Sequence, residues 1–262
     1  MCRLLGYLGS PIILDSLLDK PEHSLIVQSY EPLEMTSGVV NADGFGIGWY
    51  HAQRDTDPFI YKNILPIWSD INLSQLSRYI ESGCFLANVR SATTGQSIDL
   101  SNSQPFSDRH LLFTHNGAIK NFRKTLYRPM RDRLDDSIYQ AIDGTTDSEH
   151  IFALLLNQWV THPDITLEEA LHNTLMTLTE LAESYDVDIS ANVIVSDGHR
   201  FVACRFAYGV PVPSLYWLRD APGFPKSVIM ASEPLFIGKW VSCPENSIMS
   251  VGEDLDIKIY PL

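Results

Sequence analysis

The sequence predicts an α+β protein in which helices cover the outside of two stacked antiparallel sheets. Three observations predict it. The long helical patterns come in one block, from about residue 147 to residue 185. Strand patterns lie on both sides of that block and do not alternate with helices. The strands after it are short and turn-separated, as in 189–196, 200–207, 215–219, 227–231, 247–251 and 256–260. Separate blocks of strands and helices pack as layers, whereas alternating ones build βαβ units. With 262 residues, 45% hydrophobic and 19% charged, the chain can bury one large core, and 1–262 reads as a single domain without repeats or low-complexity linkers.

The chain opens Met1, Cys2, Arg3, followed by the apolar run Leu4 to Leu8, which reads as the start of a buried strand. If Met1 is trimmed, Cys2 carries a free α-amine and a thiol together. An α-amine has a pKa of roughly 7.7–8.0, so it serves as a general base near neutral pH, and the neighbouring thiol is a strong nucleophile. Residues 12–18 show helical spacing after Ser10-Pro11, and a second short helix is expected over 23–30. In Asp43-Gly44-Phe45-Gly46-Ile47-Gly48-Trp49-Tyr50 three glycines alternate with apolar residues. The third glycine comes too early for a GxGxxG phosphate loop. The pattern suits a strand that lets another backbone or a ligand approach closely.

A short strand over 59–63 and a weak helix over 70–82 follow. Residues 84–90 form a strand ending in Arg90, and an arginine there wants a planar anion, either a bound carboxylate or an internal acid. Residues 96–109 read as a loop, and Leu111 to Gly117 as a strand ending in Asn116-Gly117. Because 118–126 looks helical, Gly117 is expected at a strand-to-helix corner, where free N–H groups suit an oxyanion. Asp147 precedes the apolar pattern Ile151, Phe152, Leu154, Leu155 and reads as a helix N-cap. Thr166 and Glu169 form a capping box for the helix 166–185, whose apolar face runs through Leu167, Leu171, Leu175, Leu178 and Leu181. The stretch Pro211 to Pro225 suggests a surface loop.

The net charge is −13, with 32 acidic and 19 basic residues, so nucleic acid and anionic membrane are poor partners. No apolar run is long enough to span a membrane, and with no leader in view the cytoplasm is expected. Cys2, Cys84, Cys204 and Cys243 are widely spaced, so neither a metal site nor a disulfide framework is expected, and no cofactor is implied. Cys84 and Cys204 read as buried strand thiols.

Taken together, Cys2, the 43–48 strand, Arg90 with Ala92 and Thr93, Asn116-Gly117 and Asp147 resemble the glutamine amidotransferases of class II, a branch of the N-terminal-nucleophile hydrolases. The resemblance covers most of the chain. It implies a four-layer αββα sandwich of two antiparallel sheets. It also implies Cys2 as nucleophile and Asn116 and Gly117 as the oxyanion pair. Arg90, with Thr93 in the same motif, would bind the substrate α-carboxylate, and Asp147 its α-ammonium. The large synthases have His-x-Arg-Trp-Ala-Thr where this chain has Asn88-Val89-Arg90-Ser91-Ala92-Thr93, and they carry a second domain that uses ammonia. The opening Met-Cys-Arg-Leu-Leu-Gly-Tyr and Ala231-Ser232-Glu233-Pro234-Leu235 are similar to the short, stand-alone branch, which includes the ergothioneine-pathway γ-glutamyl hydrolase. The expected activity is hydrolysis of a γ-glutamyl amide, a small-molecule substrate, with release of glutamate. A glutaminase subunit feeding a separate synthase and a non-catalytic γ-glutamyl sensor stay open, as does a homo-oligomer.

Overall fold

The computed structural model describes residues 2–35, 38–51, 55–92 and 96–262. Met1 and Thr93 lie outside them. The first strand, β1 (Arg3–Ile13), is followed by the short helices α1 (Asp15–Leu18) and α2 (Leu25–Tyr30). Next come β2 (Phe45–His51), β3 (Asp55–Asn63), α3 (Leu73–Ser77) and β4 (Glu81–Val89). The second half of the N-terminal region holds β5 (Phe106–Asp108), β6 (Leu111–Ile119), α4 (Tyr127–Arg131) and α5 (Asp136–Gln140). The two long helices are α6 (Asp147–Thr161) and α7 (Leu167–Tyr185). The remainder is β7 (Ile189–Ser196), β8 (Phe201–Tyr208), β9 (Tyr216–Ala221), β10 (Phe224–Ala231), β11 (Val241–Ser242), β12 (Ser247–Val251) and β13 (Ile257–Pro261).

Among the described residues, seven strands form one antiparallel sheet in the order β11-β9-β10-β1-β4-β2-β3, and six form a second, β13-β12-β8-β7-β6-β5. Side chains alternate faces along a strand, so each strand feeds two cores. Leu5, Tyr7, Phe85, Ala87 and Ile229 pack outward with Leu14, Leu17, Leu25 and Leu73 of the first helices. Leu4, Leu8, Leu86, Val228 and Met230 point inward and meet Leu112, Ile194, Phe201 and Ala203 of the second sheet. Phe113, Val193, Val195, Val202 and Cys204 face Ile151, Leu155, Leu171, Leu175 and Leu178 of α6 and α7. Three cores between four layers are the expected αββα sandwich.

Glycines set the spacing between the sheets. A Cβ on Gly48 would lie 2.7 Å from Leu112 Cδ2, and one on Gly46 only 2.2 Å from the Gln104 carbonyl oxygen. The close approach expected of this strand is therefore made by the backbone of Gln104. Moving from Gly48 to Gly46 thus moves from Leu112 toward Gln104, which is itself hydrogen-bonded to His115. Since Gly48 pairs with Leu86 and Gly46 with Asn88, β4 and β6 run toward the same end of the sandwich.

Four local expectations are corrected. Residues 12 and 13 are strand, pairing with Ser82 and Glu81 after a register shift near Pro11, and only 15–18 are helical. An irregularity in the register is where a strand tolerates proline. In 70–82 the helix covers only 73–77, and β4 has begun by Glu81. Most consequential, β6 continues through Asn116-Gly117 to Ile119, with Ala118 and Ile119 paired to Ser190 and Ile189. Long-range pairing and burial of Ile119 override the local helical pattern. Pro211–Pro225 is likewise part loop and part hairpin, since β9 and β10 occupy 216–221 and 224–231.

His150 on α6 is fully buried. Arg131 Nε, a donor, lies 2.9 Å from His150 Nε2, and Nδ1 lies 2.7 Å from the Thr146 carbonyl, an acceptor. Both contacts require the neutral Nδ1–H tautomer. Burial, with the Arg131 charge adding to it, lowers the His150 pKa to about 4. The unfolded chain binds this proton at a pKa near 6.5, so it takes up more protons than the fold as pH drops through the window 6.5 to 4. Stability from this residue is complete above the window and is lost on acidification, on the order of 2–3 kcal/mol. Denaturant unfolding at several pH values should show the difference between the parent protein and His150→Gln shrinking by that amount from pH 7 to pH 4. A difference independent of pH would refute it.

Candidate active site

The β1–β4 register pairs Arg3 with Val89 and Leu4 with Asn88, so Cys2 lies opposite Arg90. Cys2 is in phase with Leu4 and Leu8 and therefore belongs to the inward face. Its Sγ is 3.9 Å from the Ser91 carbonyl, and it is partly exposed. Cys84, Cys204 and Cys243 are buried, and burial pushes each thiol up to about 12. Expectation and structure agree that Cys84 and Cys204 are strand thiols.

Arg90 follows the end of β4 and is 3% exposed. Its Nη1 donates to the Ser97 carbonyl at 3.3 Å and its Nη2 to Gln96 Oε1 at 3.2 Å. Both partners are neutral, and among the described residues no ion pair engages it. The backbone around it is pinned by Arg90 N–H to the Gly44 carbonyl, Asp43 N–H to the Arg90 carbonyl, and Ala92 N–H to Asp43 Oδ2 at 2.8 Å. In the sequence Asp43 reads only as part of a glycine strand. Its function as the staple for the turn after Arg90 is visible only in three dimensions.

Asn116 is fully buried on the inward face of β6, in phase with Leu112. Neither of its amide atoms has a hydrogen-bond partner. Its neighbour in the ladder, Asn192, is anchored by Nδ2 to the carbonyls of Pro213 and Ser214. Lys120 N–H bonds to Asp188 across the β6–β7 ladder, so the N–H groups of 118, 116 and 114 also point toward β7. Those of 115, 117 and 119 point to the other edge. There His115 N–H is taken by Gln104 Oε1 and Ile119 N–H by Asp147 Oδ2 at 2.8 Å. Gly117 N–H lies between them, on the sheet edge rather than at a helix corner. A Cβ on Gly117 would lie 2.0 Å from the Ser190 carbonyl, so no larger residue fits.

The α6 N-cap is Thr146, whose hydroxyl accepts Glu149 N–H; Asp147 is the first helical residue. Its carboxylate accepts Ile119 N–H and its neighbour Ser148 N–H, which fixes the helix start against β6. His115, on the outer face, completes the link: Ser148 Oγ lies 2.8 Å from Nδ1, and Nε2 donates to the Ser190 carbonyl. Burial lowers the His115 pKa, with Asp147 acting in the opposite sense. The structure thus gathers Cys2 with Arg90 on one sheet, and Asn116 and Gly117 on the other, with Asp147 at the start of α6 against β6, at the same end of the sandwich.

The start of β1 is clamped by the segment after β10. Leu4 N–H bonds to Ser232 Oγ and Ser232 N–H to the Leu4 carbonyl. Arg3 and Glu233 are 0% and 1% exposed, with Nε 2.9 Å from Oε1. The guanidinium makes no directed hydrogen bond, so the contact is Coulombic. Glu233 also accepts Leu33 N–H at 2.8 Å and Glu34 N–H at 3.0 Å, and meets His23 Nε2 at 2.7 Å. Nothing in the sequence signals this pair physically beyond an acid in Ala231-Ser232-Glu233-Pro234.

Two antiparallel sheets stacked face to face between helical layers, with Cys2 in phase with the inner face of one of them, are the architecture that the class II glutamine amidotransferase resemblance implies. Residues 20–233 match the model of the glutamine amidotransferases class-II family. The chain belongs to that family. It is 30% identical over 263 residues to the gamma-glutamyl-hercynylcysteine sulfoxide hydrolase of Mycolicibacterium smegmatis, covering all of both chains. It is 29% identical to the probable glutamine amidotransferase DUG3 of Saccharomyces cerevisiae, covering all of this chain and 84% of that one. In structure it is similar to a glutamine aminotransferase class-II domain protein from Silicibacter pomeroyi, with TM-score 0.73, 24% identity and 99% of each chain covered. The glutamine phosphoribosylpyrophosphate amidotransferase of B. subtilis gives TM-score 0.68 at 14% identity, covering 99% of this chain and 49% of that one. No helix of the described residues is long and apolar enough to cross a membrane.

Removing one member of a buried pair costs about 3–5 kcal/mol, because the other charge stays behind in a dry site. Glu233→Ala is expected to lose that much in denaturant unfolding, and an Arg3→Met, Glu233→Met double variant to regain part of it. Equal losses in the single and double variants would show that the charges are not coupled.

Proposed function

We propose that the protein hydrolyses γ-glutamyl amides through a thioester on Cys2 and releases glutamate. The observation that carries the proposal is Arg90. A nearly buried guanidinium that makes no ion pair among the described residues, opposite a thiol, suits a carboxylate from outside. The α-carboxylate of a γ-glutamyl group meets that need. Asp147 receives the α-ammonium.

With Met1 trimmed, the Cys2 amine takes the thiol proton and the sulfur attacks the γ-carbonyl carbon. The carbonyl oxygen gains negative charge between Asn116 Nδ2 and Gly117 N–H. The C–N bond then breaks, the leaving nitrogen takes a proton, and an amine departs. Water adds to the thioester, and glutamate leaves with the thiol restored. Asn116→Ala should lower kcat by roughly 10²–10³ and leave KM little changed, because the donor works mainly in the transition state. Steady-state kinetics showing a raised KM at constant kcat would reassign Asn116 to ground-state binding.

The whole chain acts as one unit in this reading, in the cytoplasm. The names of the mycobacterial relatives favour a γ-glutamyl hercynylcysteine compound as substrate, which places the reaction in ergothioneine biosynthesis. Similarity to DUG3 supports a second reading, a glutamine amidotransferase subunit that passes ammonia to a partner. A comparison of kcat/KM for glutamine, γ-glutamylcysteine, glutathione and γ-glutamyl hercynylcysteine sulfoxide separates them. The larger amides should be preferred. Preference for plain glutamine would select the second reading.

A further inference from the structure

Among the described residues, two buried side-chain amides have neither the oxygen nor the nitrogen hydrogen-bonded: Asn116 and Asn88. Other buried amides are at least half engaged. Asn192 donates to Pro213 and Ser214, Gln28 to His23 and Glu233, and Asn102 to Ser97. Asn88 is 1% exposed. It lies on the inward face of β4, between Leu86 of the inter-sheet core and Arg90. Its ladder partners are Leu4 on one side and Gly46 on the other. Neither offers a polar side chain. On the facing sheet, the row Leu112, Thr114, Asn116 runs toward the same end.

A buried amide with no partner costs folding free energy, and a leucine would fill the same inward position without that cost. The two unpartnered amides stand on opposite sheets, at the end of the sandwich where Cys2 emerges. We propose that Asn88 is a second substrate-contacting amide, which holds the scissile amide from the side opposite Asn116. The complement of a carboxamide is another amide. Asn88 Oδ1 accepts the N–H of the leaving nitrogen, and its Nδ2 is free for an acceptor on the leaving group. The pair then grips both halves of the bond to be broken: Asn116 the carbonyl, Asn88 the nitrogen. This rests on the γ-glutamyl reading above and extends it to a preference for amides over γ-glutamyl esters, which have no N–H to offer.

The test compares Asn88→Leu with the parent protein in thermal unfolding and in turnover of a γ-glutamyl amide and the matching γ-glutamyl ester. The melting temperature should hold or rise, because an orphaned amide has been replaced by an apolar group of similar size. For the amide, kcat/KM should fall roughly ten- to a hundredfold, the loss of one or two hydrogen bonds. The ester should fall much less. A lower melting temperature with kcat/KM unchanged would make Asn88 a structural amide satisfied by water, and an equal loss on amide and ester would refute the nitrogen contact. Calorimetric binding of glutamine to Cys2→Ala with and without Asn88→Leu supplies the readout if the parent turns nothing over. An Asn88-dependent Kd would then keep the contact while the hydrolase reading fails, and an unchanged Kd or no binding would overturn the contact.

Discussion

A carboxylate with almost no access to water decides where this chain begins its work. Glu233 follows a central strand, and one side of it holds the guanidinium of Arg3. The other holds the backbone of Leu33 and Glu34 and the ring of His23. A chain start would otherwise fray, since few contacts restrain the first residues of a domain. Here the second described residue is already fixed within a ladder, through Arg3, Leu4 and Ser232. Leu33 and Glu34 hang from the same carboxylate, and Asp43 holds the turn after Arg90. One buried acid therefore fixes the strand that follows the thiol, and the ladder of that strand with β4 leads to the guanidinium.

The inner face of the sandwich changes character along its length. Around Leu86, Leu112, Ile194 and Phe201 it is a dry apolar layer. Two residues further along each strand it carries Asn88 and Thr114, and two further still Arg90 and Asn116. The first half supplies cohesion, at roughly 25 cal/mol per Å² of apolar surface removed from water. The second half gives up that stabilisation for polar groups held in fixed orientation, which is the usual exchange at a functional site.

Much of this was legible in the sequence. The near-continuous apolar runs Leu4–Leu8 and Cys84–Val89 reported buried strands, and Leu167, Leu171, Leu175 and Leu178 reported a helix face. Cys2, Arg90, Asn116, Gly117 and Asp147 could be named as candidates because together, in that order, they resemble the class II glutamine amidotransferases, whereas each alone has an ordinary structural reading. What failed did so where distant partners decide the outcome. Ala118 and Ile119 have helical neighbours in sequence but strand neighbours in space, Ser190 and Ile189. Pro11 resembles a helix start yet sits at a register shift against β4. Asn88 and Glu233 could not be singled out, because an asparagine in a strand and a glutamate before a proline are ordinary until their burial is known. Thr93 lies outside the described residues.

The edge of β6 has a consequence for association with other chains. A bare strand edge presents a row of N–H and C=O groups that can template a foreign strand. Its cover, β5, pairs only with Leu111 to Phe113, so the ladder stops short. Beyond it the side chains of Gln104 and Asp147 cap the edge at His115 and Ile119. These caps break the edge into a gap one residue wide, at Gly117. An extended chain needs several consecutive positions to zip on and finds none, whereas a single acceptor atom can enter. The sheet is thereby protected against intermolecular β-addition without a full covering strand, and it still keeps one backbone donor available.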